Sequence, residues 1–156
     1  MIQFRQLYFS LVLSLFTLAS VIANPAVDKV KVKNYLLKTN RTIGFAHMVV
    51  KKTKVFNGNL SKSVNHERLA KKYYNENQLE KALYHSYRAR VLANEVIAEN
   101  KAKAPMDASF TAEEQQMTSG KPSDRQLDDD LAKEVPASVN GKDEDLMNGN
   151  LDIDIQ

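Results

Sequence analysis

The chain has 156 residues, with 22 Lys and Arg against 19 Asp and Glu, a net charge of +3, and no cysteine. That length allows one small domain. The missing thiols exclude disulfides, a nucleophilic or metal-binding thiolate, and the lipidated cysteine of a bacterial lipoprotein.

Met1–Ala23 has the layout of an export signal: Arg5 as a positive start, an apolar run from Leu7 to Leu18, and Val21-Ile22-Ala23 as a cleavage site before Asn24. The apolar run is short beside the roughly 20 residues of a transmembrane helix; an uncleaved anchor is the competing reading. Small eukaryotic secreted domains usually lean on disulfides, so an exported, cysteine-free chain is expected in a bacterial periplasm or outside the cell.

From residue 24 to 103 the pattern predicts an all-α domain of about three antiparallel helices, roughly 27–57, 62–74 and 79–101. In the first, Val27, Val30, Val32, Leu36, Leu37, Ile43, Ala46, Val49, Val50 and Phe56 give a broken helical stripe. Gly44 and Thr39–Thr42 predict a kink, and Gly58 of Asn57-Gly58-Asn59 a left-handed stop. The stretch Val64–Asn100 contains no Gly or Pro. Ala82, Ser86, Ala89, Ala93 and Val96 fall on one helix face and let a partner helix approach closely. Asn75–Gln78 is read as the break between two helices, with Asn77 as N-cap and Glu80 completing a capping box; a single helix from Ser61 to Lys101 competes with that reading.

Leu69-Ala70, Tyr73, Ala82 and Ala89, with Leu79-Glu80-Lys81-Ala82-Leu83 opening the second helix, resemble one tetratricopeptide-type helix-turn-helix unit. The resemblance implies close helix packing and partner binding, not an activity. His66, Ser86 and Asn94 depart from that family's pattern. The three histidines, at 47, 66 and 85, are spaced by 19 both times, which reads as a degenerate helical repeat.

Residues 104–156 are rich in Asp, Glu, Ser, Gly and Pro, and composition predicts a disordered acidic tail. Short helical turns are expected near Thr111–Met117 and Ser123–Lys133, the second opened by a capping box at Ser123–Gln126. Residues 24–103 carry 17 Lys and Arg against 6 Asp and Glu, net +11; residues 104–156 carry 4 against 13, net −9. The near-neutral total conceals a basic head and an acidic tail.

Chemistry is sparse. The helices offer no H-E-x-x-H, no Gly-rich phosphate loop and no paired carboxylates. His66 and His85 both lie near helix starts, so antiparallel helices should hold them more than one turn apart, against a shared metal. No catalytic residue, cofactor or metal site is assigned. The expected function is a non-catalytic exported interaction module. Tyr73, Tyr74, Tyr84, Tyr87 and Arg88 are the candidate partner-binding residues of the head. Leu151, Ile153 and Ile155 alternate with acidic residues and are the candidate strand-like docking segment of the tail. The partner is expected to be a protein, with an anionic polymer or lipid headgroup regulated by the acidic tail as the alternative; self-association is open and nucleic acid is not expected. A metal-binding protein is the most distant alternative.

Export with cleavage after Ala23 predicts an intact mass for the exported protein that begins at Asn24. A mass that retains residues 1–23 would identify an anchor instead.

Overall fold

The computed structural model describes residues 27–137 and 141–155, and the export signal read at residues 1–23 lies outside them. The described residues are all-helical, with five α-helices: α1 Lys29–Thr53, α2 Asn59–Asn75, α3 Leu79–Glu99, α4 Ala112–Met117 and α5 Asp124–Glu134. The first three form the expected antiparallel bundle, and no membrane-crossing helix occurs among the described residues.

α1 runs unbroken through Gly44 and the Thr39–Thr42 segment, where a kink was expected. The Thr39 and Thr42 hydroxyls donate to the carbonyls of Tyr35 (3.2 Å) and Lys38 (3.0 Å) one turn back, so these residues satisfy themselves within the helix. Asp28 caps the start of α1 by accepting from the N–H groups of Val30 and Lys31. α1 closes at Lys54, which takes the left-handed conformation (φ 58°); Gly58 is also left-handed (φ 84°), but it opens α2 rather than ending α1.

The hairpin break falls where expected, and its chemistry differs. Asn77 is not an N-cap. It is the left-handed residue (φ 59°) that closes α2, with Gln78 N–H donating to the Tyr73 carbonyl at 2.8 Å and Asn77 N–H to Tyr74 at 3.1 Å. Ala82, Ser86, Ala89, Ala93 and Val96 are all buried, as their shared face requires, and Ser63 Oγ donates to the Ala89 carbonyl across the α2–α3 seam at 2.7 Å.

The core has two apolar clusters. One holds Ile43, Ala46, Val50, Leu60, Val64, Ala89, Ala93, Val96 and Ile97; the other holds Val32, Tyr35, Leu36, Leu69, Ala70, Tyr73, Tyr74, Ala82 and Leu83. On each helix of the bundle a set of buried polar residues accompanies them: Thr39 and Thr42 on α1, Ser63, His66 and Glu67 on α2, His85, Ser86 and Arg90 on α3. The bundle therefore has a polar waist.

The expectation of a disordered tail is corrected. Residues 106–117 lie along α1 and α3, α5 lies over α2 and α3, and residues 143–155 follow α1 and α2, so the tail visits all three grooves. Composition misleads because the apolar residues, though few, are correctly placed. Leu127 and Leu131, four apart, share one face of α5 and are buried; Met147, Leu151 and Ile153 complete the first cluster, and Leu131 joins the second. Capping boxes at Thr111–Glu114 and Ser123–Gln126 start α4 and α5, matching the two expected turns.

One tail carboxylate also finishes a bundle helix. Gly58 offers α2 no side-chain cap. Asp143, fully buried, accepts from the N–H groups of Asn57 (3.0 Å), Gly58 (2.8 Å) and Ser61 (2.8 Å) in its place. Asp143→Ala should cost about 2–3 kcal/mol by leaving these amides without an acceptor. Urea unfolding measures it; wild-type stability in the variant would mean that the tail does not cap α2.

Candidate functional site

The waist holds the chemistry-bearing side chains, in two adjoining groups. In the first, Arg90 is fully buried and each of its three guanidinium nitrogens has an acceptor. Nε donates to Thr39 Oγ1 (3.0 Å), Nη2 to the Tyr35 carbonyl (2.9 Å) and Nη1 to Glu114 Oε1 of α4 (3.2 Å). Its plane lies over the rings of Tyr35 (4.2 Å) and Phe110 (5.0 Å), so the tail supplies both a counter-charge and an aromatic face. Burial pushes the Glu114 carboxyl up, but the Thr111 N–H and the Arg90 charge outweigh it and hold it below the usual carboxylate range. Lys38 reaches the same Glu114 oxygen at 3.3 Å.

Glu67 is also fully buried beside this pair, and neither of its carboxyl oxygens has a hydrogen-bond partner. Burial pushes its pKa up to about 8, with Ser86 and Arg90 only partly opposing that rise. The Ser86 hydroxyl points to Thr39 Oγ1 at 3.0 Å instead. At neutral pH Glu67 is therefore mainly protonated, and the Arg90–Glu114 pair holds the charge in this group.

The second group is a relay of three side chains from three helices. His66 Nε2 contacts Asp128 Oδ1 of α5 at 3.1 Å, and His66 Nδ1 contacts His85 Nδ1 at 3.0 Å, with the two rings stacked at 5.3 Å. Asp128 is strongly held in its ionised form: burial opposes this, but Arg88 and His66 win. Arg88 grips it twice, Nε to Oδ1 at 2.7 Å and Nη2 to Oδ2 at 2.9 Å, and reaches Asp124 at 3.3 Å. An ionised Asp128 requires His66 to donate from Nε2. His66 Nδ1 is then the acceptor for the His85 Nδ1–H, and both rings are neutral. Burial accordingly depresses both histidines, His85 to about 4.

The expected separation of His66 and His85 is thus corrected. His66 lies ten residues before the turn at residues 76–78 and His85 seven after it, on facing sides of the hairpin, which folds them together. The third histidine does not share this environment. His47 Nε2 contacts the Leu146 carbonyl at 2.9 Å, so the spacing of 19 does not create equivalent surroundings. Among the described residues no group of three or more His, Cys, Asp or Glu is placed to hold a metal ion.

The candidate partner-binding residues are dispersed. Tyr73 and Tyr74 are buried rather than exposed; Tyr73 packs on His85 (5.5 Å) under Lys81 (5.1 Å), and Tyr74 lies under Lys29 (5.2 Å). Tyr84 and Tyr87 are half-buried, Tyr87 stacking on Phe110 at 5.0 Å with Lys121 above it. Arg88 is taken by Asp128, as above. Leu151 and Ile153 are buried in the chain's own first cluster, and Ile155 packs against the second. Tyr73, Tyr84 and His85 share an open cleft of about 360 Å³ with Asp130, Lys133 and Glu134 of α5.

Sequence reasoning missed Glu67, Arg90 and Glu114 as a unit. The available signal was a charge on an apolar stripe: Leu83, Ser86, Arg90, Ala93 and Ile97 follow helical spacing, as do Ser63, Glu67 and Ala70. Compared with known families, curated proteins and solved structures, the chain matches none. The fold and this buried waist define a small helical-bundle protein closed by its own C-terminal segment.

The waist predicts a pH dependence of stability. Glu67 titrates higher in the folded than in the unfolded chain. Its contribution is fully present below about pH 4.5, its unfolded value, and is lost as pH rises through about 8. The histidines act oppositely: their contribution is present above about pH 6.5 and is lost as pH falls through the folded value, about 4 for His85. Between pH 6.5 and 8 the Glu67 slope stands out. Glu67→Gln should remove it, its stability relative to wild type rising on the order of 1 kcal/mol per pH unit over that window. Parallel wild-type and variant stabilities in urea across that range would exclude a raised Glu67 pKa.

Proposed function

We propose that this chain is a non-catalytic interaction module, exported by its N-terminal segment, that acts through its surface. One observation carries the reading: the charged side chains of the waist are spent on one another, and Glu67, which has no hydrogen-bond partner, is sealed from solvent. Each nitrogen of the Arg90 guanidinium has an acceptor, on Thr39, Tyr35 or Glu114; Asp128 is held by Arg88 and His66, and His66 by Asp128 and His85. These are struts that join the tail to the bundle.

The charge layout favours an anionic partner over a protein groove. The tail pairs with Lys31, Lys38, Arg41, Lys71, Lys72, Arg88 and Arg90. The aromatic residues that a groove binder would present are largely packed inward, and the alternating C-terminal segment is docked on the chain itself. Surface lysines beyond those pairs remain on the bundle, and they suit an anionic polymer or an anionic headgroup layer.

Binding of residues 24–156, which include every described residue, to immobilised dextran sulfate tests this. Retention at low ionic strength that is lost as the Debye length falls below about 8 Å is the expected result. No retention at low salt would remove the anion-binding reading.

A further inference from the structure

The paired cations are spread along all three helices, and a group of cations outside those pairs gathers at one end. Lys51, Lys52 and Lys54 close α1, and Lys101 and Lys103 follow α3. α1 and α3 finish at the same end of the bundle, where the Thr53 hydroxyl meets the Asn100 side chain and Asn57 meets Glu99. All five lysines are exposed and take part in no ion pair among the described residues. The carboxylates of this end keep their charge but are drawn to the α2 side: Glu99 bonds to Asn57, Glu95 to Asn59 (3.3 Å), and Asp143 to the amides that open α2, with Glu144 and Asp145 following it.

The same end also breaks the usual rule for apolar side chains. Four large ones are exposed among the described residues, and two flank these lysines: Met48 (61% exposed) lies one turn before Lys51 and Lys52, and Val55 (48%) follows Lys54. A soluble polyanion gains nothing from exposed Met and Val. A bilayer surface uses both features, its headgroups drawing the ammonium groups while apolar side chains enter the acyl boundary.

We propose that this end of the bundle is a docking surface for a bilayer rich in anionic lipid. The proposal rests on the anion-binding reading above and narrows it to one partner class. The bundle would stand on the membrane with the C-terminal ends of α1 and α3 downward and its tail-wrapped flanks facing water. No helix needs to cross, so attachment is peripheral and reversible.

Co-sedimentation of residues 24–156 with phosphatidylglycerol–phosphatidylcholine vesicles tests it, with pure phosphatidylcholine vesicles and dextran sulfate as parallel probes. Lys51→Ser with Lys52→Ser should weaken vesicle binding about 10- to 30-fold at low salt. The equal charge change at the opposite end, Lys29→Ser with Lys81→Ser, should leave it within about twofold, since a screened charge far from the surface contributes little. Met48→Ser with Val55→Ser should weaken vesicle binding but not dextran sulfate binding. Equal losses from the two lysine pairs, or equal binding to pure phosphatidylcholine, would overturn the proposal. Dextran sulfate binding without vesicle binding would overturn the lipid assignment alone and leave the anion reading standing. No binding to either probe would overturn both.

Discussion

Arg90 is a cation with no exposure to water, and the rest of the molecule is arranged around that fact. Taking an arginine out of water costs several kcal/mol unless its charge and its donors are all matched. The three-helix head cannot do this alone. Its nearest carboxyl, Glu67, is itself buried with neither oxygen hydrogen-bonded, and is held mainly protonated. The matching carboxylate comes from Glu114 and part of the aromatic cover from Phe110, both in the acidic segment. The −9 segment therefore folds as part of the +11 head because one of its charges is needed inside. A disorder argument from composition treats a segment as if it must bury its own surface; here a partner surface is already attached by the chain.

The bundle itself was legible because its signals are local and repetitive. The face through Ala82, Ser86, Ala89, Ala93 and Val96, and the hairpin break near residue 76, depend on spacing within one helix. The capping boxes of the acidic segment were legible for the same reason. Details at the turns were not. Asn57-Gly58-Asn59 and Asn75-Glu76-Asn77 look alike as sequences, yet Gly58 opens a helix and Asn77 closes one. Asparagine and glycine both tolerate the left-handed region, so identity alone does not say which side of the boundary they serve.

Non-local geometry was the part that the sequence concealed. His66 and His85 touch because they lie on facing sides of the α2–α3 hairpin, a relation visible only once the hairpin is closed. Asp143 lies more than 80 residues from the amides it caps. No spacing rule reaches across that interval. In the same way, the alternation of Leu151, Ile153 and Ile155 was visible, while its site on the chain's own α1–α2 groove was not; Asn40 and Arg68 hold it there through the carbonyls of Ile153 (2.7 Å) and Leu151 (2.9 Å).

The strength of this closure bears on which surface can act. The acidic segment is not held by exposed ion pairs alone, each worth about 0–1 kcal/mol and easily screened. It buries Leu127, Leu131, Met147, Leu151 and Ile153, and full burial of such side chains is worth about 1.5–3 kcal/mol each before entropy is counted. Displacing it would also expose Arg90 and strip α2 of its cap. A competing anion could replace the outer pairs, such as Lys31–Glu113 or Lys71–Asp152, but it has nothing to offer the buried leucines and isoleucine. The acidic segment is in this reading a fixed wall of the fold rather than an exchangeable lid. In the proposed binding mode its effect is spatial: it neutralises cations along the flanks and leaves the lysines at the ends of α1 and α3 as the basic surface.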